Sequence, residues 1–195
     1  MEFRRKAELL DGILKQAGSC VVAFSGGVDS SYLAAAAKKA LGDNAHIIMV
    51  ISPLTPKRDV ESARAVAAAL GFEFETVQSR ELDDETFAKN PPDRCYHCKK
   101  HIFGALIEAA QRLGAACVVE GTNRDDETDY RPGMRAIKEM SVRSPLKEAG
   151  FTKAEIRAAS KEMGVPTWNK PSSACLASRF PYGSPITEEK ARRAD

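Results

Sequence analysis

The heptapeptide Ser25-Gly26-Gly27-Val28-Asp29-Ser30-Ser31 follows directly on the apolar run CVVAF (20–24). The residues before it are β-formers, and YLAAAAKKALG after it reads as a helix. A strand-to-helix turn presents unpaired backbone N–H groups and the positive end of the helix dipole. That combination is an anion site, and phosphate is the usual anion. The glycines permit close backbone approach to phosphate oxygens, and the serine hydroxyls donate to them. Asp29 repels phosphate unless a cation lies between, so the pattern implies bound Mg²⁺. The loop lacks the lysine of G-x-x-x-x-G-K-[ST] and the spacing of G-x-G-x-x-G, so it is neither of those phosphate loops. On spacing alone, a Gly-Ser turn with Asp29 as surface charge is the plain alternative.

A second stretch, EGTNRDDETDYRPG (120–133), follows another strand-like run. Ligands of open parallel sheets bind beyond the carboxyl ends of the strands, so this loop is expected to face the same crevice. Gly121 permits close contact with a nucleotide. Asp125, Asp126 and Asp129 offer carboxylates for Mg²⁺, with Asp29 and Asp126 the chosen pair. Arg131 and Arg135 suit phosphate or carboxylate, with Arg131 the substrate candidate. Taken by itself, the segment also reads as a solvated charged loop.

The cysteines number five, with Cys95 and Cys98 in a C-x-x-C beside His97 and His101, and Cys175 far off in SSACLASRFPYG. Cys20 and Cys117 fall in strand-like runs and read as small core residues. The other three fall in loops or at a helix start, where thiolates form and are reached more easily. Three readings stand open. The C-x-x-C is part of a zinc clip completed by a histidine and Cys175, a dithiol redox pair, or part of an iron–sulfur ligand set. Three cysteines would leave one iron of a cubane free to hold a small ligand such as hydrosulfide.

The elements that must position these groups alternate. Runs 19–24, 45–51, 72–77 and 115–121 read as strands, and 29–41, 57–70 and 96–113 as helices. Gly71 and Gly114 stand where helix C-termini place glycine. Strand–helix alternation implies right-handed crossovers and an open, doubly wound parallel α/β sheet. A short strand is expected near 141–144. TKAE (152–155) is a capping box opening the next helix, and Thr187 opens a last one. We divide the chain into 1–166, the phosphate-loop domain, and 167–195, an irregular cysteine-bearing extension. The last helix stops eight residues after Thr187, so the natural chain is expected to continue.

A length of 195 residues with 43% hydrophobic content suits one ordinary domain. A net charge of +2 is too small to argue for nucleic acid, and no apolar run approaches the roughly 18 residues of a membrane span. MEFRRKAELLDGILKQAG is an amphipathic helix pattern containing acids, not a signal peptide. The expected setting is the reducing cytoplasm, without nucleic-acid or membrane partners.

These residues carry a resemblance. SGGVDSS resembles the PP-loop of the ATP pyrophosphatase superfamily, an adenine nucleotide alpha hydrolase-like fold whose members cut ATP between the α- and β-phosphates. VAFSGGVDS, DYRPG, Trp168-Asn169-Lys170 and SRFPYG (178–183) together resemble the LarE family of sulfur transferases. Members make the organic part of the nickel-pincer cofactor of lactate racemase. The resemblance implies adenylation of a carboxylate of pyridinium-3,5-biscarboxylate mononucleotide, then its conversion to a thiocarboxylate. It implies ATP contacts at Ala23, Ser25, Gly26, Gly27, Val28, Asp29, Ser30 and Gly121, with Asp29 and Cys175 as catalytic residues. Arg131, Arg179 and Tyr182 are the substrate candidates. One branch of the family sacrifices the sulfur of a single cysteine, placed here at Cys175. The other carries a [4Fe-4S] cluster on three cysteines, and Cys95, Cys98 and Cys175 match it. The implied partners are the pyridinium substrate, a sulfide donor and further copies of the chain in a homo-oligomer. A tRNA-thiolating PP-loop enzyme and a zinc-stabilised nucleotide-binding protein are the rival readings.

Overall fold

The computed structural model describes residues 2–128, 132–172 and 174–195. Its centre is a four-stranded sheet in the order β3-β2-β1-β4, with every pairing parallel. The strands are β1 Cys20–Ala23, β2 Ala45–Ile51, β3 Glu75–Gln78 and β4 Cys117–Val119. Helices α1 Glu2–Ala17, α2 Val28–Leu41, α3 Lys57–Leu70, α4 Glu85–Ala88, α5 Arg94–Leu113, α6 Pro132–Glu139, α7 Pro145–Glu148, α8 Lys153–Glu162 and α9 Glu188–Ala194 surround it.

Successive side chains of a strand point to opposite faces, and the core divides accordingly. Val22, Ile47, Met49 and Val119 pack with residues of α1, α2, α3 and α8, including Leu14, Leu33, Val66 and Ile156. Val21, Ile48 and Val118 pack with Phe103 and Leu106 of α5 and Ile137 of α6. The sheet is therefore buried on both faces, which is why its strands read as near-continuous apolar runs. Cys20 is fully buried and pairs in register with Cys117. Burial pushes the Cys20 thiol up to about 12, with Cys117 adding to the shift, so these cysteines serve as core residues.

β1 lies between β2 and β4, so the chain leaves β1 toward one side and returns on the other. This reversal opens a crevice beyond the strand ends. The loop after β1 and the loop after β4 become its two lips. The strand expected near 141–144 is reduced to one bridge, Val119 with Arg143. Ser141 has a positive φ of 55°, and Pro145 opens α7, so only Arg143 is left to pair.

A third, smaller cluster anchors the C-terminal stretch. Leu176, Ala177, Ile186 and Ala191 pack with Leu54 and Phe87, and Cys98 and Phe180 pack against them. Asn90 clamps the same stretch from below. Its side-chain amide donates to the carbonyls of Pro181 at 2.8 Å and Phe180 at 3.4 Å, and its own carbonyl accepts from Gly183 N–H at 2.9 Å. The Asn90 side-chain oxygen accepts from Arg94 at 2.8 Å. Asn90 is fully buried with φ 56°, a conformation asparagine tolerates better than most residues. Asn90→Ala is expected to destabilise the protein by about 2 kcal/mol through lost buried hydrogen bonds and backbone strain. Urea unfolding checks this, and Asn90→Gly should recover only the backbone part.

Candidate active site

A cleft of about 940 Å³ runs along the carboxyl ends of the strands. Ser25, Gly27, Asp29 and Ser30 line one end, and Cys95, Cys98 and Cys175 line the other.

The loop after β1 is held from within. Ser30 Oγ accepts from Ser25 N–H at 3.2 Å, shares a hydrogen bond with Ser25 Oγ at 3.0 Å, and donates to the Gly27 carbonyl at 3.2 Å. Gly27 is the N-cap of α2, and no side chain caps it. The first-turn amides thus stay available to an anion. Gly26 has φ +68°, and a Cβ there would stand 2.7 Å from the backbone N of Ala63. Gly121 makes the second close approach, since its Cβ would stand 3.0 Å from Ser30 N and 3.2 Å from Asp29 C. Only glycine lets the loop after β4 lie against the loop after β1.

Asp29 is the electrostatic centre of this end. One carboxylate oxygen pairs with Lys153 Nζ, contributed by the first turn of α8. The other is buried and has no hydrogen-bond partner. Burial pushes the Asp29 carboxyl up from the usual range, Lys153 pulls it back, and Asp126 pushes it further up. An orphaned carboxylate oxygen beside a second carboxylate fits a divalent cation. Asp126 is itself positioned by accepting from Asn123 N–H at 3.0 Å, and Asp125 accepts from Lys153 N–H at 2.8 Å. Glu120, buried behind them, accepts from Thr122 and Ser144. On the far lip, Lys170 pairs with Asp59 at 2.9 Å and donates to Ser62 at 2.9 Å, tying the chain after α8 to α3.

At the sulfur end, Cys95 and Cys98 stand at i and i+3 in the opening turns of α5, on one face. Cys175 is the N-cap of a short 3₁₀ turn, Leu176–Arg179. Leu176 N–H donates to the Leu54 carbonyl at 3.4 Å. Burial drives the Cys98 thiol well above its ordinary range, and Glu81, Cys175 and Cys95 each add to that shift. Among the described residues, no group of three His, Cys, Asp or Glu side chains is arranged to hold a metal ion. The histidines are directed to carboxylates, His97 to Asp93 at 3.4 Å and His101 to Asp84 at 3.0 Å. Neither lines the cleft, so the histidine-completed zinc clip is not assembled.

Of the residues expected from sequence, Ala23, Ser25, Gly27, Asp29, Ser30, Gly121, Asp126 and the three cysteines line the cleft. Gly26 and Val28 stand behind that wall, both buried. The substrate candidates Arg179 and Tyr182 do not line it. Arg179 donates to the Ala194 carbonyl on α9. Tyr182 is 61% exposed, with the Arg94 guanidinium 4.4 Å from its ring centre. Both belong to a turn that faces outward because Asn90 binds its carbonyls from the inside. Arg135 stacks on Tyr96 at 3.5 Å and pairs with Glu139. Arg131 and Asp129 lie outside the described residues. Sequence reading missed Lys153, Asp59, Glu81, Arg94, Lys99 and Glu120, all of which line the cleft. Lys153 carried a signal, because a cation in a first helical turn opposes the helix dipole and calls for an anionic partner.

Comparison with known proteins fits this geometry. Residues 4–103 match the NAD synthase family model. The chain is 42% identical to an uncharacterised Synechocystis protein, over 96% of this chain and 70% of the relative. It is 37% identical to the pyridinium-3,5-bisthiocarboxylic acid mononucleotide synthase of Lactiplantibacillus plantarum, over 95% of this chain and 67% of that one. The chain belongs to the LarE family. Its fold is that of the PP-loop enzymes. The NH₃-dependent NAD synthetase of Campylobacter jejuni superposes with a TM-score of 0.64 at 18% identity, covering 91% of this LarE-family chain and 80% of that structure. ATP-using enzymes make up this family. No helix among its described residues is long and apolar enough to cross a membrane.

The glycine contacts give a direct check. Gly26→Ala forces a side chain against the α3 backbone at a positive φ, and is expected to weaken ATP binding at least tenfold. Gly27→Ala, whose Cβ would meet only the Ser25 hydroxyl at 3.4 Å, should bind nearly as wild type in the same titration.

Proposed function

We propose that this chain is an ATP-dependent sulfur transferase acting on the pyridinium precursor of the nickel-pincer cofactor. The phosphate loop and three cysteines opening on one cleft carry this reading, and membership of the LarE family supports it. A carboxylate resists attack by sulfur because its oxygen is a poor leaving group. Adenylation makes that oxygen part of AMP, and pyrophosphate departs. The free amides of α2 stabilise the charge that gathers on the departing phosphates. Asp29 and Asp126 would hold Mg²⁺, which would offset phosphate charge, a role the unpartnered Asp29 oxygen and the nearby Asp126 carboxylate suit. Lys153, which pairs with Asp29 and lines the same cleft, would be freed to meet a phosphate oxygen. Ala23 and Gly121 admit the nucleotide at the foot of the cleft.

At the other end, Cys95, Cys98 and Cys175 would supply the donors for a [4Fe-4S] cluster. Three thiols lining one cleft match it in type and number, although their present arrangement does not draw them together around a metal, and the raised Cys98 thiol would ionise more readily with a cation beside it. Such a cluster would supply sulfide-level sulfur to the activated carboxyl, with AMP leaving. Cys175 is the candidate catalytic thiol, and Arg131 remains the candidate for a substrate anion.

ATP incubated with Mg²⁺, the pyridinium biscarboxylate and the protein should yield AMP and pyrophosphate. ADP as the main nucleotide product overturns the reading. Asp29→Ala should slow pyrophosphate release by roughly a hundredfold with an unchanged circular dichroism spectrum.

Alanine at Cys95, Cys98 or Cys175 should abolish bound iron, acid-labile sulfide and the thiocarboxylate product, while substrate-dependent pyrophosphate release continues. If Cys95→Ala still delivers sulfur over repeated turnovers, the cluster is not the source and Cys175 acts alone.

A further inference from the structure

The cleft contains a carboxylate that nothing in the fold explains. Glu81 belongs to the 3₁₀ turn Glu81–Asp83, just past the carboxyl end of β3. It lines the cleft, yet its side chain is only 1% exposed. Its Oε2 has no hydrogen-bond partner, and no ion pair to Glu81 forms among the described residues. Ser79, two residues earlier, lines the same wall, is 7% exposed, and has an equally unpartnered Oγ. Cys98 is close enough to feel the Glu81 charge. Buried carboxylates are ordinarily paired, because an unpaired one forfeits its hydration without return. The cations nearby are engaged elsewhere. Arg94 donates to Asn90 and stacks on Tyr182, and Lys99 reaches across the Phe103 ring at 5.2 Å.

We propose that Glu81, with Ser79, recognises the positive charge of the substrate's pyridinium ring. The inference rests on the sulfur-transfer reading above and adds to it the group that selects a cationic ring. A pyridinium nitrogen bearing a ribosyl group has no N–H, so it is recognised by charge and by the polarised C–H groups beside it. An acceptor-only carboxylate meets that chemistry. Apolar side chains line the same cleft, Phe87, Ile102 and Phe103 among them, and give it the apolar character a ring needs. Because Glu81 and Cys98 line the same cleft, a ring held by Glu81 shares that cleft with the thiols. Glu81 is thus a specificity residue that sets which ring enters and where it rests.

The test is equilibrium binding of nicotinate mononucleotide and of its reduced form, whose dihydropyridine ring is neutral. The proteins are wild type, Glu81→Gln and Glu81→Asp. Wild type should prefer the cationic ring by roughly tenfold or more, the scale expected for one desolvated charge pair. Glu81→Gln should lose that preference by weakening the cation alone, and Glu81→Asp should retain part of it. ATP affinity should be unchanged in both variants. The ligand-free melting temperature of Glu81→Gln should equal or exceed that of wild type, since an amide relieves a buried unpaired charge. A preserved preference in Glu81→Gln overturns the inference and leaves the sulfur-transfer reading intact. A lower melting temperature, or loss of bound iron, makes Glu81 structural or a metal ligand and also overturns it. Failure of wild type to bind either ring form removes the substrate reading itself, and this inference with it.

Discussion

The phosphate end of the molecule turns on one carboxylate. Asp29 sits at the start of α2, where the helix dipole favours an anion, but it is also half-buried, which disfavours one. The chain resolves the conflict with Lys153, 124 residues later in sequence. That pairing fixes more than a charge. It draws the first turn of α8 over the mouth of the loop, and the backbone N–H of the same lysine holds Asp125. The loop after β4 is therefore gripped from α8 on one side and by the Gly121 contact on the other. Only one Asp29 oxygen is satisfied. The arrangement is stable enough to fold but leaves a place for a stronger cation than an ammonium.

The sulfur end is built on a different principle. A small apolar cluster and a backbone clamp hold Cys175 in place. Leu176 and Ala177, immediately after Cys175, are buried with Leu54 and Phe87. Asn90 ties the following turn to the start of α5. The same asparagine holds Arg94, the residue before Cys95. One buried side chain thus links the two sequence-distant cysteine segments. The three cleft cysteines are carried on the opening turns of α5 and on a short 3₁₀ turn, not on the sheet itself.

Most of the sheet was legible because parallel, doubly covered strands are apolar on both faces, as VVAF, IIMVI and VV are. The boundary of β3 shifted because Phe72 and Phe74 spend their rings on Phe24, at 5.7 and 5.3 Å, and leave the ladder to the residues after them. SRELDDETFAKN carries no strand or helix periodicity, so no element was expected there. It folds into two short turns only because Phe87 is buried and Asp84 caps α4. The candidate site was legible where its function is local, as in the glycines and serines after β1. It was not legible where it depends on burial. Arg179 and Tyr182 carry the chemistry expected of a substrate site, yet the Asn90 clamp turns them outward. Glu81 looks like any surface acid until the fold closes over it.

The two ends share a wall but differ in dielectric character, and this bears on how one cleft accommodates two chemical steps. At the phosphate end, charges are matched pairwise: Asp29 with Lys153, and Asp59 with Lys170. A polyanionic nucleotide arriving there exchanges partners without stranding a charge. At the sulfur end, Glu81 and Ser79 are buried with little compensation, and the half-buried Cys98 thiol is held in its neutral form. Such a pocket is costly when empty and gains most from a ligand that brings its own positive charge, because electrostatic interactions strengthen where water is excluded. Filling it also removes the water that competes with sulfur for an activated carboxyl group. The unsatisfied groups therefore mark the part of the cleft that the fold alone does not complete.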